Sequence, residues 1–144
     1  MLRGISPLLS PELLAVLYRM GHGDEIVLAD GHFPGESFNT RVLRADGIRI
    51  APLLDAILPL FVLDPYVSDP VLMMAPVVGD QLDQDLLTSY RYAIARHAPE
   101  TPETAFLERF AFYERVKNCF AVIATGERRL YGNLILKKGI VRPD

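Results

Sequence analysis

The sequence predicts an α/β domain with a central, largely parallel sheet flanked by helices. Three observations carry that prediction. Short apolar runs of strand length, such as Glu25–Asp30, Val71–Met74 and Phe120–Ala124, recur along the chain between turn residues. Stretches with helical spacing stand between them. The chain has 144 residues and shows no repeat, low-complexity tract or composition break, so residues 1–144 read as one domain. A chain of this length buries roughly 70% of its unfolded surface without a disulfide or metal staple.

The elements follow in order. Ser10 is a good N-cap, Pro11 suits the first helical position, and Glu12 favours the positive end of the dipole. Leu13, Leu14, Leu17 and Met20 then keep helical spacing, and Gly21 stands where a C′ glycine would stop the helix. Glu25–Asp30 reads as a buried strand leading into the loop Gly31–Gly35. Arg41–Arg44 reads as a second strand. Pro52–Leu58 reads as a helix that Pro59 disrupts. Val71–Met74 is a third strand. Asp83–His97 is a helix with Leu86, Tyr90 and Ile94 on one face. Phe112–Asn118 reads as a short helix, Phe120–Ala124 as a strand ended by Thr125-Gly126, and Asn133–Lys137 as a final alternating strand. In open sheets of this kind ligands bind beyond the carboxyl ends of strands, where Asp30 sits.

Composition narrows the function. Fifteen Lys and Arg against eighteen Asp and Glu give a net charge of −3, which disfavours nucleic acid and a polybasic membrane surface. Hydrophobic residues make up 50% of the chain, and the mean hydropathy is +0.19. The longest nearly apolar stretch, Ala51–Leu63, is too short to span a membrane and carries Asp55 and Pro59. The apolar surplus therefore predicts interface as well as core. Cys119 is the single cysteine, so intramolecular disulfides and cysteine-based zinc motifs are excluded. Its apolar neighbours predict an inert core thiol. The N-terminal residues Met1–Ile5 carry no long apolar run of the signal-peptide type, and the expected location is cytoplasmic.

The densest polar cluster is Gly21-His22-Gly23-Asp24-Glu25, joined by a short strand to Asp30 and His32. An imidazole in a glycine turn suits general acid/base work. The alternative is a plain helix cap in which His22 pairs with terminal carbonyls. Reading His22, Asp24, Asp30 and His32 as metal ligands matches no compact spacing, and an apolar strand divides them. Arg109 and Tyr113 could present donors to a polyhydroxylated ligand, and Tyr131-Gly132-Asn133 has a similar mixture. Nucleophile-elbow and phosphate-cradling motifs are missing, so no nucleotide cofactor is expected.

Taken together, several blocks resemble the ribose-pyranase and fucose-mutarotase family, and its fucose branch in particular. They are Ile5–Leu14, Met20–Ile26, Arg44–Gly47, Arg109–Arg115, Thr125–Glu127 and Tyr131–Asn133. The resemblance spans nearly the whole length and implies a cofactor-free enzyme that interconverts the anomers of a free monosaccharide, L-fucose. It implies that His22 is the catalytic acid/base, that Asp30 and Arg109 contact sugar hydroxyls, and that Tyr131, Gly132 and Asn133 close the site. Tyr113 and Asp64 match positions implicated in animal members, and the hydroxyl of Tyr113 or Tyr131 could serve as the catalytic proton donor that partners His22. It further implies a ring-shaped homodecamer with sites near subunit interfaces. The alternatives are a pyranose–furanose isomerase acting on D-ribose, a non-catalytic sugar-binding protein and a metalloenzyme.

Overall fold

The computed structural model describes residues 1–144. In chain order the elements are α1 (Pro11–Arg19), β1 (Glu25–Ala29), α2 (Gly35–Phe38), β2 (Val42–Ala45), α3 (Ile50–Ile57) with a 3₁₀ turn at Leu58–Leu60, and β3 (Val71–Met74). Then come α4 (Gln84–His97), β4 (Ala105–Leu107), α5 (Arg109–Lys117), β5 (Ala121–Thr125) and β6 (Leu134–Lys137). The sheet has six strands in the order β2-β5-β1-β6-β3-β4. β1, β2 and β5 pair in parallel, as do β3 and β4, while β6 runs antiparallel between β1 and β3. The largely parallel sheet flanked by helices is the predicted architecture.

Alternation along the strands makes three layers. Ile26, Leu28, Ile123 and Leu134 face one side, where α1, α3 and α4 bury a cluster of 26 residues. Val27, Ala29, Val122 and Ile135 face the other, where Phe112 and Val116 of α5 join a cluster of 9. The apolar stretch Ala51–Leu63 supplies Leu53, Leu54 and Ile57 to the larger core. Its one charge, Asp55, turns outward to His97 Nε2 at 3.0 Å. No helix is long and apolar enough to cross a membrane.

Local differences from the sequence reading have physical causes. α1 is capped by the Ser10 hydroxyl as expected, but Gly21 is not its left-handed stop. Met20 already has extended backbone, at φ −62° and ψ 134°, and the positive φ falls at Gly23, at 85°. Lys138 Nζ closes the helix instead, donating to the Leu17 and Met20 carbonyls at 2.7 and 2.6 Å. α5 begins at Arg109, three residues before the predicted Phe112, because the Glu108 carboxylate accepts from the N–H groups of Phe110 and Ala111. A single helical turn, α2, occupies part of the expected loop. β4 escaped the sequence reading because three residues at the sheet edge carry no period.

The path of the chain after β5 matters most. β5 and β6 flank β1 on either side, so the segment Gly126–Asn133 must pass over the carboxyl end of β1. That crossing lays Tyr131-Gly132-Asn133 against Asp30.

Candidate active site

Asp30 is the first residue beyond β1 and is buried, 4% exposed. Its Oδ1 accepts from the His32 N–H at 3.0 Å, and its Oδ2 from the Gly132 N–H at 3.2 Å. Its own N–H donates to Asn133 Oδ1 at 2.7 Å. Burial pushes the Asp30 carboxyl above the usual range, against the pull of those N–H donors and of His32. Gly132 is closely packed: a Cβ there would meet Glu127 Cγ at 3.1 Å, with Arg129 O and Tyr90 Oη at 3.2 Å. Glu127 is also buried. Burial raises its carboxyl, yet the Arg129 guanidinium and the Arg128 and Arg129 N–H groups hold it below the usual range. The loop over β1 is thus fastened at both ends.

These residues floor a cavity of about 260 Å³. Asp30, Arg109, Tyr113, Tyr131 and Asn133 line it, with His32, Phe33, Pro34, Met74 and Leu130. Five of the predicted site residues therefore meet at one place, and Gly132 stands behind it as a backbone donor to Asp30. His32, weighed in the sequence only as a metal ligand, is on the same wall. Tyr113 stacks on Phe38, with ring centroids 4.8 Å apart, and its hydroxyl oxygen accepts from Arg109 Nε at 3.2 Å. That leaves the Tyr113 proton free. Tyr131 differs: it donates its phenolic proton to Asp80, and that bond, then burial, raises the phenol above its usual range. It is also the one non-glycine residue with positive φ, at 60°. Of the two tyrosines that could donate a proton, Tyr113 is the one with a proton to give.

His22 and Asp64 are elsewhere. They stand at the amino end of β1, and the strand from Asp24 to Asp30 separates them from the cavity by about 20 Å. Asp64 is buried and its Oδ2 lies 3.3 Å from His22 Nε2. Its Oδ1 accepts from the Tyr66 N–H at 3.0 Å. Burial works against its charge, but the Tyr66 N–H, His22 and Lys137 together hold the carboxyl below the usual range. A neutral imidazole that gives its Nε2–H to this carboxylate keeps its lone pair on Nδ1. Asp64, and not Asp30, is the carboxylate beside the imidazole. Lys138, and not His22, takes the helix-terminal carbonyls. His22 opens onto an apolar groove of about 800 Å³ lined by Leu2, Leu14, Tyr18, Leu60, Val62 and Val141, among others.

Cys119 is buried, and burial pushes its thiol up to about 12, as an inert core thiol requires.

Comparison with known proteins gives the chain its family and its structural relatives. Residues 3–141 match the RbsD / FucU transport protein family. A fucose mutarotase from Streptococcus pneumoniae, solved in complex with L-fucose, is 45% identical with a TM-score of 0.91; the match covers 98% of this chain and 100% of that one. FucU from Bifidobacterium longum is also 45% identical, with a TM-score of 0.93 over 97% and 100% of the two chains. RbsD of Bacillus subtilis, complexed with D-ribose, is 23% identical with a TM-score of 0.72 over 99% and 100%, and shares the fold.

Proposed function

Because the chain belongs to the RbsD / FucU family, we propose that it is an isomerase, a mutarotase that interconverts the α and β anomers of free L-fucose. One observation carries the reading. The cavity gathers Asp30, Arg109, Tyr113, Tyr131 and Asn133 in a space suited to a single sugar ring, and the protein with L-fucose bound shares 45% of its sequence with this chain.

The chemistry needs two proton movements. The anomeric hydroxyl loses its proton as the bond from C1 to the ring oxygen breaks, and the ring oxygen gains a proton. The open aldehyde turns about C1–C2, and the ring recloses by the reverse steps on the other face. His22 Nδ1 accepts the first proton. The Tyr113 hydroxyl supplies the second, with the Arg109 guanidinium beside it to balance the charge left behind. Each such group typically contributes 10²–10⁴-fold. Asp30 and Asn133 hold sugar hydroxyls, and Tyr131 closes the edge.

His22 and the cavity lie at opposite ends of one chain, so the working site takes its imidazole from a neighbouring copy. Two further facts support assembly. The chain exposes 8231 Å², whereas a monomer of this mass exposes about 7,400 Å². Leu2, Tyr18, Leu60, Val62 and Val141 are exposed around His22, as are Leu130 on the cavity's rim and Phe110 beside Tyr113. Two different apolar patches suit head-to-tail contacts, which form a ring when the rotation between copies closes. The proposed assembly is the homodecamer of the family resemblance, working in the cytoplasm. Two-dimensional exchange NMR on equilibrated L-fucose tests the reading. Anomer exchange should rise sharply above the buffer rate, with D-ribose run in parallel. No acceleration on L-fucose, or a larger one in the ring-form exchange of D-ribose, would overturn it.

A further inference from the structure

Tyr90 takes no part in the chemistry above, yet its side chain ends at the site. It comes from α4, across the sheet from the helix that carries Arg109 and Tyr113. The residue is 1% exposed, and its ring lies in the larger core. A phenylalanine would fill that core without needing a polar partner. The hydroxyl instead donates to the buried Gly132 carbonyl at 2.8 Å. On its other side the Gly132 peptide donates its N–H to Asp30 Oδ2. The next residue, Asn133, accepts the Asp30 N–H. The preceding one, Tyr131, holds a left-handed backbone at φ 60°, which is unfavourable in a non-glycine residue and persists only where neighbours enforce it.

We propose that Tyr90 is a positioning residue for the sugar site: its hydroxyl fixes the Gly132 peptide, and with it the left-handed Tyr131 that forms one wall of the cavity. Burial raises the phenol well above its ordinary range, so it remains a donor wherever the protein is folded. The effect on turnover rests on the mutarotase reading, and the effect on the backbone does not.

Tyr90→Phe in the full assembly is the test, with 4-aminophenylalanine at the same position as the donor-retaining rescue. The apparent KM for L-fucose should rise about tenfold with little change in kcat. The pH profile should keep its shape, because the proton-transfer groups are untouched. The Gly132 and Asn133 amides should exchange with solvent about tenfold faster, while the Val27 amide in β1 keeps its wild-type rate. The rescue variant should recover both. Wild-type KM and amide exchange in Tyr90→Phe would overturn the proposal. So would a uniform loss of protection, a failed rescue, or a Tyr90→Phe chain that does not fold, since each assigns the hydroxyl to the core at large. A wild-type protein that fails to speed anomer exchange would overturn the mutarotase reading, and the amide exchange would still decide the role of Tyr90.

Discussion

The two ends of strand β1 follow opposite physical plans. At the carboxyl end Asp30, Gly132 and Asn133 are buried and bonded to one another from two loops. At the amino end the His22 side chain is 47% exposed, rides on a glycine turn, and looks into an apolar groove. A rigid polar nest can recognise hydroxyls and has few groups free to move protons. An exposed imidazole backed by a carboxylate can move protons but has no polar frame of its own for a sugar. Each end supplies what the other lacks, and in the proposed assembly a second copy of the chain brings them together.

The strongest way to break this comparison is subunit mixing. His22→Ala alone should lower anomer exchange by about 10²–10⁴-fold with sugar binding retained. Arg109→Ala alone should weaken binding and turnover together. Co-expressed and assembled at random, the two variants should regain about one quarter of wild-type sites, because one subunit's intact imidazole meets its neighbour's intact cavity. Exchange NMR on the purified mixture measures it. Recovery no greater than the sum of the single variants would mean that the two ends serve separate purposes.

The two ends were also unequally legible. Capping and turn chemistry made the His22 cluster conspicuous in the sequence, and Asp30 was readable as the end of a buried strand. What the sequence could not show is that strand β1, Glu25–Ala29, puts His22 and Asp30 beyond its opposite ends. Closeness along the chain suggested one site. The parallel strands were legible from their apolar runs, but β6 was not legible as the antiparallel insert whose entry loop crosses β1, since pairing direction leaves no local mark. Tyr90 was visible only as one of three residues on a helix face. Its hydroxyl gained a purpose when topology set Gly132 beside it. Lys138 likewise had no signal as a cap, because the carbonyls it closes lie more than a hundred positions earlier.

Lys138 offers a smaller and more local test. Its ammonium holds the Leu17 and Met20 carbonyls, while its carbonyl accepts from the Gly23 N–H at 2.8 Å. The His22 turn is thereby clamped between α1 and the end of β6. Lys138→Met keeps the aliphatic stem and removes the donors, leaving two helix-terminal carbonyls without their partner. The expected cost is about 1–3 kcal/mol, a fall in Tm of roughly 3–10 °C for a domain of this size. Sugar binding at the other end should be unchanged. Calorimetric unfolding and L-fucose titration of the same sample measure both. A loss of binding equal to the loss of stability would show that the two ends are mechanically coupled within one chain.

The smallest expected effect has opposite signs at the two ends. Asp64 titrates below the usual carboxylate range in the folded protein, and the unfolded chain near about 3.9. Its contribution to stability is thus complete above the unfolded value and disappears as pH falls through the folded one. Asp30 is raised by burial. Between the unfolded value and its own, the folded state holds the extra proton. Its contribution is complete below about 3.9 and is lost as pH rises through the folded value. Urea midpoints measured from about pH 3 to about pH 7 on the wild type, Asp64→Asn and Asp30→Asn separate the two. Asp64→Asn should flatten the acid limb, and Asp30→Asn should remove a decline on the rising side. Two variants with the same change of slope would mean that the buried carboxylates are electrostatically alike. The difference between a charge held for an imidazole and one held in a neutral-leaning nest would then not survive.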